Sequence, residues 1–191
     1  GEDEGYEASL KYIVLGGLSS SAILIGIALT YTTTGTLNMT HLASRLSETS
    51  AATPLRFSQA LFICGFGLKA ALVPFHAWLP DAYTAAPTPI SAILSGVVSK
   101  VIGVYVLARL LFNVFPMADE TLLLMRWMGG ITMILGGFLA LGQWDIKRLL
   151  AYSSISQVGL IVLAFGFGTT MGVVGGLFHL VSHAVFKPLL F

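Results

Sequence analysis

Six mainly apolar stretches dominate the sequence, and each is about as long as a helix that crosses a membrane. Such a helix needs about 20 consecutive apolar residues to cross a hydrocarbon core roughly 30 Å thick. None of the stretches alternates apolar and polar residues as the strands of a membrane barrel do. The predicted spans are residues 12–31, 57–74, 90–112, 122–142, 149–165 and 171–191. The sequence therefore predicts an all-α, multi-pass integral membrane protein.

The composition agrees with lipid as the surrounding solvent. Charged residues make up 10% of the 191 residues and apolar residues 55%, whereas about a quarter of the residues in a soluble domain are charged. The formal net charge of +1 provides no basic surface for nucleic acid, so no nucleic-acid partner is expected. The single cysteine, Cys64, excludes a disulfide framework or a multi-cysteine metal cluster held by this chain alone.

Both ends of the sequence differ from those of a complete membrane protein. The sequence begins with Gly1 and a short acidic run, and it stops at Phe191 inside the last apolar stretch. We expect residues 1–191 to form a single membrane domain that is an internal segment of a longer chain.

Two lysines lie near the middle of predicted spans. Lys69 belongs to the span 57–74 and Lys100 to the span 90–112. A charge at the bilayer centre costs about 2.5–3.5 kcal/mol on insertion scales, so such residues normally face a bundle interior or a wet cavity. A desolvated lysine exchanges its proton near neutral pH, which makes each lysine a candidate proton carrier. The alternative is a lysine paired with a carboxylate for structural reasons.

Pro74 follows Lys69 closely and predicts a break in the second helix, because a proline inside a helix leaves the carbonyl one turn earlier without a partner. Transporters use broken helices at membrane depth to expose backbone dipoles to a cavity. A second interpretation is that Pro74 ends the helix at the membrane interface, with Trp78 in the aromatic belt. His76 is a candidate polar lining residue under the first interpretation and an interfacial residue under the second.

The last apolar stretch carries three ionisable residues at intervals of four. His179, His183 and Lys187 share one helix face at this spacing, and histidine titrates near neutral pH, so the stripe suits a proton pathway. Pro188 predicts a second helix break beside Lys187. Two alternatives remain: a metal or haem ligated by the histidines, and simple polar contacts between helices.

The fifth stretch begins with polar residues of candidate lining function, which are Ser153, Ser156 and Gln157. They either hold water beside the lysines or let helices approach closely. The sequence contains no phosphate-binding loop, no dinucleotide-binding glycine motif and no nucleophile elbow. We therefore expect no cofactor, no bound metal and no redox centre in this chain.

Three sequence segments resemble one family of membrane proteins. They are GLKAALVPFHAWLPDAY at 67–83 followed by APTP at 86–89, DIKRLLAYSSISQ at 145–157, and the segment 179–190. These segments resemble, in the same order, the antiporter-like proton-translocating subunits of respiratory complex I (NADH:quinone oxidoreductase), of Mrp-type cation/proton antiporters and of membrane-bound hydrogenases. The resemblance extends over essentially the whole chain.

The resemblance implies a bundle of about fourteen helices built from inverted repeats, of which this chain supplies six. Lys69 matches the central lysine of the first broken helix, and Lys100 matches the bridging lysine of the next helix. His179, His183 and Lys187 match the stretch that leads to the second half-channel. Gln157 occupies a position where several relatives have histidine.

The implied activity is proton translocation by a subunit of a redox-driven complex of the NADH:quinone oxidoreductase type. Its implied partners are other membrane subunits, the lipid bilayer and protons, and its implied location is a bacterial or archaeal plasma membrane. One alternative is a Na⁺/proton antiporter subunit of the Mrp type or a hydrogenase subunit. A further alternative is a structural membrane subunit that transports nothing.

Overall fold

The structure is a computed structural model that describes residues 2–48, 52–116 and 118–191; the side chains at 2–4, 47–48, 52 and 99–101 lie outside this description. Every regular element within these residues is a helix, so the predicted all-α class is confirmed. In chain order the helices are α1 Glu2–Thr34, α2 Met39–Glu48, α3 Ala52–Ala70, α4 Trp78–Ala85, α5 Thr88–Ile93, a π-helix Leu94–Tyr105, α6 Val106–Asn113, α7 Asp119–Leu141, α8 Ile146–Gly166 and α9 Thr170–Leu190.

Five helical segments in the described part of the chain are long and apolar enough to cross a membrane. They are Gly5–Thr34, Thr88–Asn113, Asp119–Leu141, Ile146–Gly166 and Thr170–Leu190. Each contains most or all of one predicted span. The second of them combines α5, the π-helix and α6.

Helix α3 corresponds to the remaining predicted span, 57–74, and is not among these five segments. It has 19 residues, but Arg56, Gln59 and Lys69 lower its mean hydropathy. It also ends at Ala70, four residues before the predicted end. The predicted number of six spans is therefore approximate.

Helix α1 extends well beyond its predicted span. Its 33 residues correspond to roughly 50 Å of helix, and its charged first turns lie outside the apolar part. Polar contacts join it to α3: Ser19 Oγ donates to the Gly65 carbonyl at 2.7 Å, and the hydroxyls of Thr30 and Ser58 lie 2.6 Å apart. Small polar side chains of this kind let two membrane helices approach closely.

The predicted break after Lys69 is confirmed, and it begins before Pro74. Ala71 has a φ of 57°, and the amides of Ala71 and Leu72 donate to the carbonyls of Leu68 and Gly67. This is the Schellman pattern that ends a helix at a left-handed residue. The chain then continues without regular structure through residue 77 and resumes as α4. Pro74 lies after this helix end, so the left-handed turn at Ala71 rather than the proline terminates α3.

The break segment and α4 are held against the rest of the chain by a buried apolar cluster. Trp78, Leu79 and Tyr83 of α4 pack with Ala151 and Ile155 of α8. A larger cluster joins α3, α6 and α8 through residues that include Phe62, Phe66, Leu107, Leu111 and Phe165. Large apolar side chains also cover the outer surface, among them Leu18, Phe138 and Phe178. Such a surface suits contact with lipid or with further membrane helices.

Candidate functional site

Lys69 lies in the last turn of α3, directly before the break. The unpaired carbonyls at the end of a helix carry a partial negative charge, which stabilises a cation there. Its ammonium group lies 3.5 Å from Ser20 Oγ on α1. Ser20 is a residue that sequence reasoning did not single out, because its run of three serines is also typical of close helix packing.

The Lys69 side chain lines a cavity of about 360 Å³ between α1, α3, Trp78 of α4 and the π-helix. Its polar lining includes Tyr12, Ser19 and Ser20, and Val98 and Ile102 close it on the side of the π-helix. At ~30 Å³ per water molecule, this volume has room for several waters. His76 is half-buried in the break segment and is not among the lining residues of this cavity.

The backbone of Lys100 lies in the π-helix Leu94–Tyr105, and its side chain lies outside the described residues. The π-helix packs against the end of α3, next to Lys69, and against the end of α9, next to Lys187. A Cβ atom at Gly103 would lie 2.7 to 2.9 Å from atoms of Ala70, next to Lys69, and a Cβ atom at Gly96 would overlap Pro188, next to Lys187. The helix that carries Lys100 therefore lies between the other two lysines.

His179, His183 and Lys187 share the inward face of α9, as their spacing predicts. The rings of His179 and His183 lie 6.1 Å apart between centroids, and His183 also contacts the ring of Phe186 at 5.0 Å. His183 and Lys187 are almost completely buried, with exposed fractions of 0% and 1%. Lys187 Nζ donates to the Leu150 carbonyl of α8 at 3.0 Å. Among the described residues, neither Lys69 nor Lys187 forms an ion pair.

Gln157 of α8 pairs with the stripe on α9. Its Oε1 lies 2.6 Å from His179 Nε2, so the amide oxygen accepts a hydrogen bond from the ring when that nitrogen is protonated. The other nitrogen, Nδ1, then carries the lone pair that accepts a proton. The predicted polar lining residue Gln157 is thus a direct partner of the histidine.

The two serines predicted as lining residues differ in their surroundings. Ser156 Oγ donates a hydrogen bond to the Met133 carbonyl of α7 at 2.8 Å. This contact between helices agrees with the packing role rather than with a role in holding water. Ser153 is half-buried on α8.

Pro188 does not break α9, which continues through it to Leu190. The second helix break predicted at Pro188 therefore does not occur within the residues up to Leu190. A Cβ atom at Gly96 would overlap Pro188, so α9 and the π-helix approach closely at this proline. Within the described residues, no group of three or more His, Cys, Asp or Glu is placed to hold a metal ion.

The whole chain, residues 1–191, matches the family described as NADH:quinone oxidoreductase/Mrp antiporter, TM. The chain belongs to this family. The resemblance inferred from the three sequence segments is therefore confirmed, and the chain is an integral, multi-pass membrane protein.

Curated relatives within this family come from two kinds of complex. NADH-quinone oxidoreductase subunit N of Desulforudis audaxviator is 37% identical over 187 residues, which are 96% of this chain and 37% of that protein. A Na(+)/H(+) antiporter subunit of Alkalihalophilus pseudofirmus is 37% identical over 186 residues, again 96% of this chain and 37% of the relative. The chain thus spans a little over a third of the length of these relatives.

Two solved structures share the fold. A chain of the Mrp complex from Dietzia sp. superimposes with a TM-score of 0.89 at 32% identity, covering 97% of this chain and 34% of that chain. A chain of the membrane-bound sulfane sulfur reductase, an archaeal respiratory membrane complex, gives a TM-score of 0.90 at 44% identity, covering 98% and 38%. These relatives of the antiporter family are parts of multi-subunit membrane complexes.

A cluster of charged side chains joins α4, the helix that follows the break, to α1 and α8. The Asp81 carboxylate of α4 forms two ion pairs, one with Lys11 of α1 at 2.7 Å and one with Arg148 of α8 at 3.4 Å. Lys11 also pairs with Glu7, at 2.7 Å. Three helices that are far apart in the sequence therefore meet at one carboxylate, seven residues after Pro74.

Two further side chains hold the break in roles that the sequence does not predict. Trp78 Nε1 donates to the Leu68 carbonyl at 2.9 Å, and the Val73 amide donates to Thr132 Oγ1 at 3.0 Å. The sequence suggests only a place in the aromatic belt for Trp78. Thr132 lies in the middle of α7, where the sequence has no feature that distinguishes it from an ordinary small packing residue.

Proposed function

We propose that this chain is the part of an antiporter-like membrane subunit that conducts protons laterally within the membrane. The observation that carries the proposal is the burial of Lys187, which is 1% exposed and bound to a backbone carbonyl rather than to a carboxylate. A lysine in a membrane-spanning helix is costly without an opposite charge, which makes a functional role its default interpretation.

The proposed order of groups follows the contacts between helices. Lys69 lies beside a cavity with room for water, next to the helix that carries Lys100. That helix packs at Gly96 against Pro188, beside Lys187. His183 and His179 then continue along α9, with Gln157 orienting the last ring. A proton would pass along this series through water and titratable side chains, driven by changes in pairing and solvation.

The proposed partners are the other membrane subunits of a multi-subunit complex in a bacterial or archaeal plasma membrane, together with lipid and protons. The single membrane domain described above would be one section of a longer subunit, since the chain spans 37% of its curated relatives. A Na⁺/proton antiporter subunit is the second candidate, because both a Na(+)/H(+) antiporter subunit and an Mrp complex match nearly the whole chain.

The test is acidification of inverted membrane vesicles that carry the full-length parent of this chain, with assembly checked on a native gel. Wild type is compared with Lys69→Ala, and Lys147→Ala is the control, since Lys147 is a lysine outside the proposed pathway whose Nζ donates a hydrogen bond to the Ala86 carbonyl at 3.0 Å. Loss of NADH-driven acidification in Lys69→Ala alone supports the redox-driven pump. A Lys69-dependent proton flux that only a Na⁺ pulse elicits supports the antiporter. If Lys69→Ala shows both normal NADH-driven acidification and normal Na⁺-elicited proton flux, the subunit has a structural role only.

A further inference from the structure

The break after Lys69 leaves the Val73 amide without an acceptor in its own helix. The amides of Ala71 and Leu72 donate back to the end of α3, and Pro74 has no amide hydrogen. The Val73 amide lies between them and donates to Thr132 Oγ1 of α7 at 3.0 Å. Val73 is half-buried, and an amide that is shielded from water without an acceptor costs free energy, so this contact from another helix stabilises the break.

The Thr132 hydroxyl is oriented for this role. Its own hydrogen is donated to the Met128 carbonyl one turn earlier in α7, which leaves its oxygen lone pairs available to accept. The side chain is completely buried, with an exposed fraction of 0%. A hydroxyl in this position accepts the hydrogen bond of the Val73 amide without competition from bulk water.

The other side of the break is held by a second side chain. Trp78 Nε1 donates to the Leu68 carbonyl at 2.9 Å, so the residue before Lys69 is fixed from α4. Thr132 of α7 holds the backbone at Val73, four residues after Lys69. The backbone is thus held on both sides of Lys69, at Leu68 and at Val73, by hydrogen bonds to side chains of two other helices.

We propose that Thr132 is a positioning residue that sets the conformation of the break and, through it, the location of the Lys69 ammonium group in its cavity. The proposal rests on the proposed function of Lys69, and it assigns a role to α7, a helix to which the sequence analysis gave no functional residue. The Thr132 hydroxyl does not touch the proton; it acts through the backbone at Val73.

The experiment uses the full-length parent protein in its assembled complex. Thr132→Val keeps the shape of the side chain and removes the acceptor, whereas Thr132→Ser keeps the acceptor. Thr121→Val is the matched control, because Thr121 is a buried threonine on the same helix far from the break. Two quantities are measured: proton flux into inverted vesicles, and amide hydrogen exchange of the segment 71–77 resolved to single residues.

We expect Thr132→Val to lower proton flux about fivefold or more and to speed exchange at Val73 about fivefold, the range that follows from a lost hydrogen bond. Thr132→Ser should restore both to within about twofold of wild type, a rescue that general packing damage would not show. Thr121→Val should change neither. If Thr132→Val does not assemble, Thr132→Ala replaces it in the comparison with Thr132→Ser.

The proposal is overturned if flux and exchange in Thr132→Val match wild type while Lys69→Ala abolishes flux. Rapid exchange of the Val73 amide in the unmodified protein would also overturn it, without any substitution. Normal flux in Lys69→Ala would instead remove the proposed function itself, so the two failures are distinguishable.

Discussion

The Nε2 atom of His179 and the Oε1 atom of Gln157 lie 2.6 Å apart, across the contact between α9 and α8. An amide cannot pass on a proton under ordinary conditions, but its oxygen can select which ring nitrogen carries the hydrogen. Gln157 therefore directs the reactive Nδ1 of His179, and the proposed pathway uses Gln157 for orientation and His179 for transfer.

Replacing Gln157 tests this division of roles. Gln157→Leu removes the acceptor of the half-buried His179 ring, at a cost of about 0.5–1.5 kcal/mol. We expect proton flux in the full-length parent to fall about fivefold or more with assembly intact, whereas Gln157→Glu, which keeps an oxygen acceptor, retains more of the flux. Gln143→Leu is the control, since Gln143 donates to the Leu139 carbonyl within its own turn. Wild-type flux in Gln157→Leu would contradict the assignment.

Lys187→Met separates a functional lysine from a structural one. Met fills a similar volume without a charge, and removing a charge from a buried membrane site saves about 2.5–3.5 kcal/mol on insertion scales. We expect proton flux to be lost while the Tm of the assembled complex stays the same or rises. Lys147→Met, at the exposed end of the bundle, should leave flux unchanged. A lower Tm with normal flux in Lys187→Met would assign this lysine to structure alone.

Ala71→Gly should stabilise the break. A left-handed φ costs a residue with a Cβ atom about 1–2 kcal/mol, and glycine adopts it freely. We expect the free energy of unfolding to rise by about 1 kcal/mol, measured by thermal or denaturant unfolding in detergent. Ala28→Gly, at an exposed position inside α1, should have the opposite effect, because glycine destabilises a helix interior by about 0.5–1 kcal/mol. Equal loss of stability in both variants would contradict the left-handed turn at Ala71.

The charge cluster around Asp81 predicts a modest, salt-dependent effect. Asp81→Asn leaves Lys11 and Arg148 without their shared carboxylate, and because both cations are exposed to solvent we expect only a small loss of stability. The difference from wild type should shrink as ionic strength rises. Glu120→Gln is the control, since its pair with Arg56 at 3.9 Å is largely exposed and should contribute almost nothing. A salt-independent loss in Asp81→Asn would point to packing rather than charge.

The membrane-spanning helices were predictable from the sequence because apolar length is a property of each segment by itself. Five of the six predicted spans lie in helices long and apolar enough to cross a membrane, and a bilayer imposes that length whatever the helix packs against. The stripe of His179, His183 and Lys187 follows from helical spacing in the same way. The break after Lys69 is also predictable, although the sequence points to Pro74 rather than to Ala71 as its cause.

The partners of the charged groups depended on tertiary structure. Ser20 beside Lys69, Gln157 beside His179 and Leu150 beside Lys187 each come from another helix. No spacing along one helix encodes which atom of a neighbouring helix it will meet. For the same reason the sequence could not distinguish Ser156, which packs against α7, from a residue that lines a cavity.

The sequence by itself determined that this chain is a membrane protein of helices with ionisable residues at membrane depth, because hydropathy and helical periodicity are local. The tertiary structure decided how the break is held and where Pro188 packs. It brought Thr132 to the Val73 amide across 59 residues and placed Gly96 against Pro188. Such contacts arise only when helices pack, since a backbone donor released by one helix is satisfied by whatever acceptor its neighbour presents.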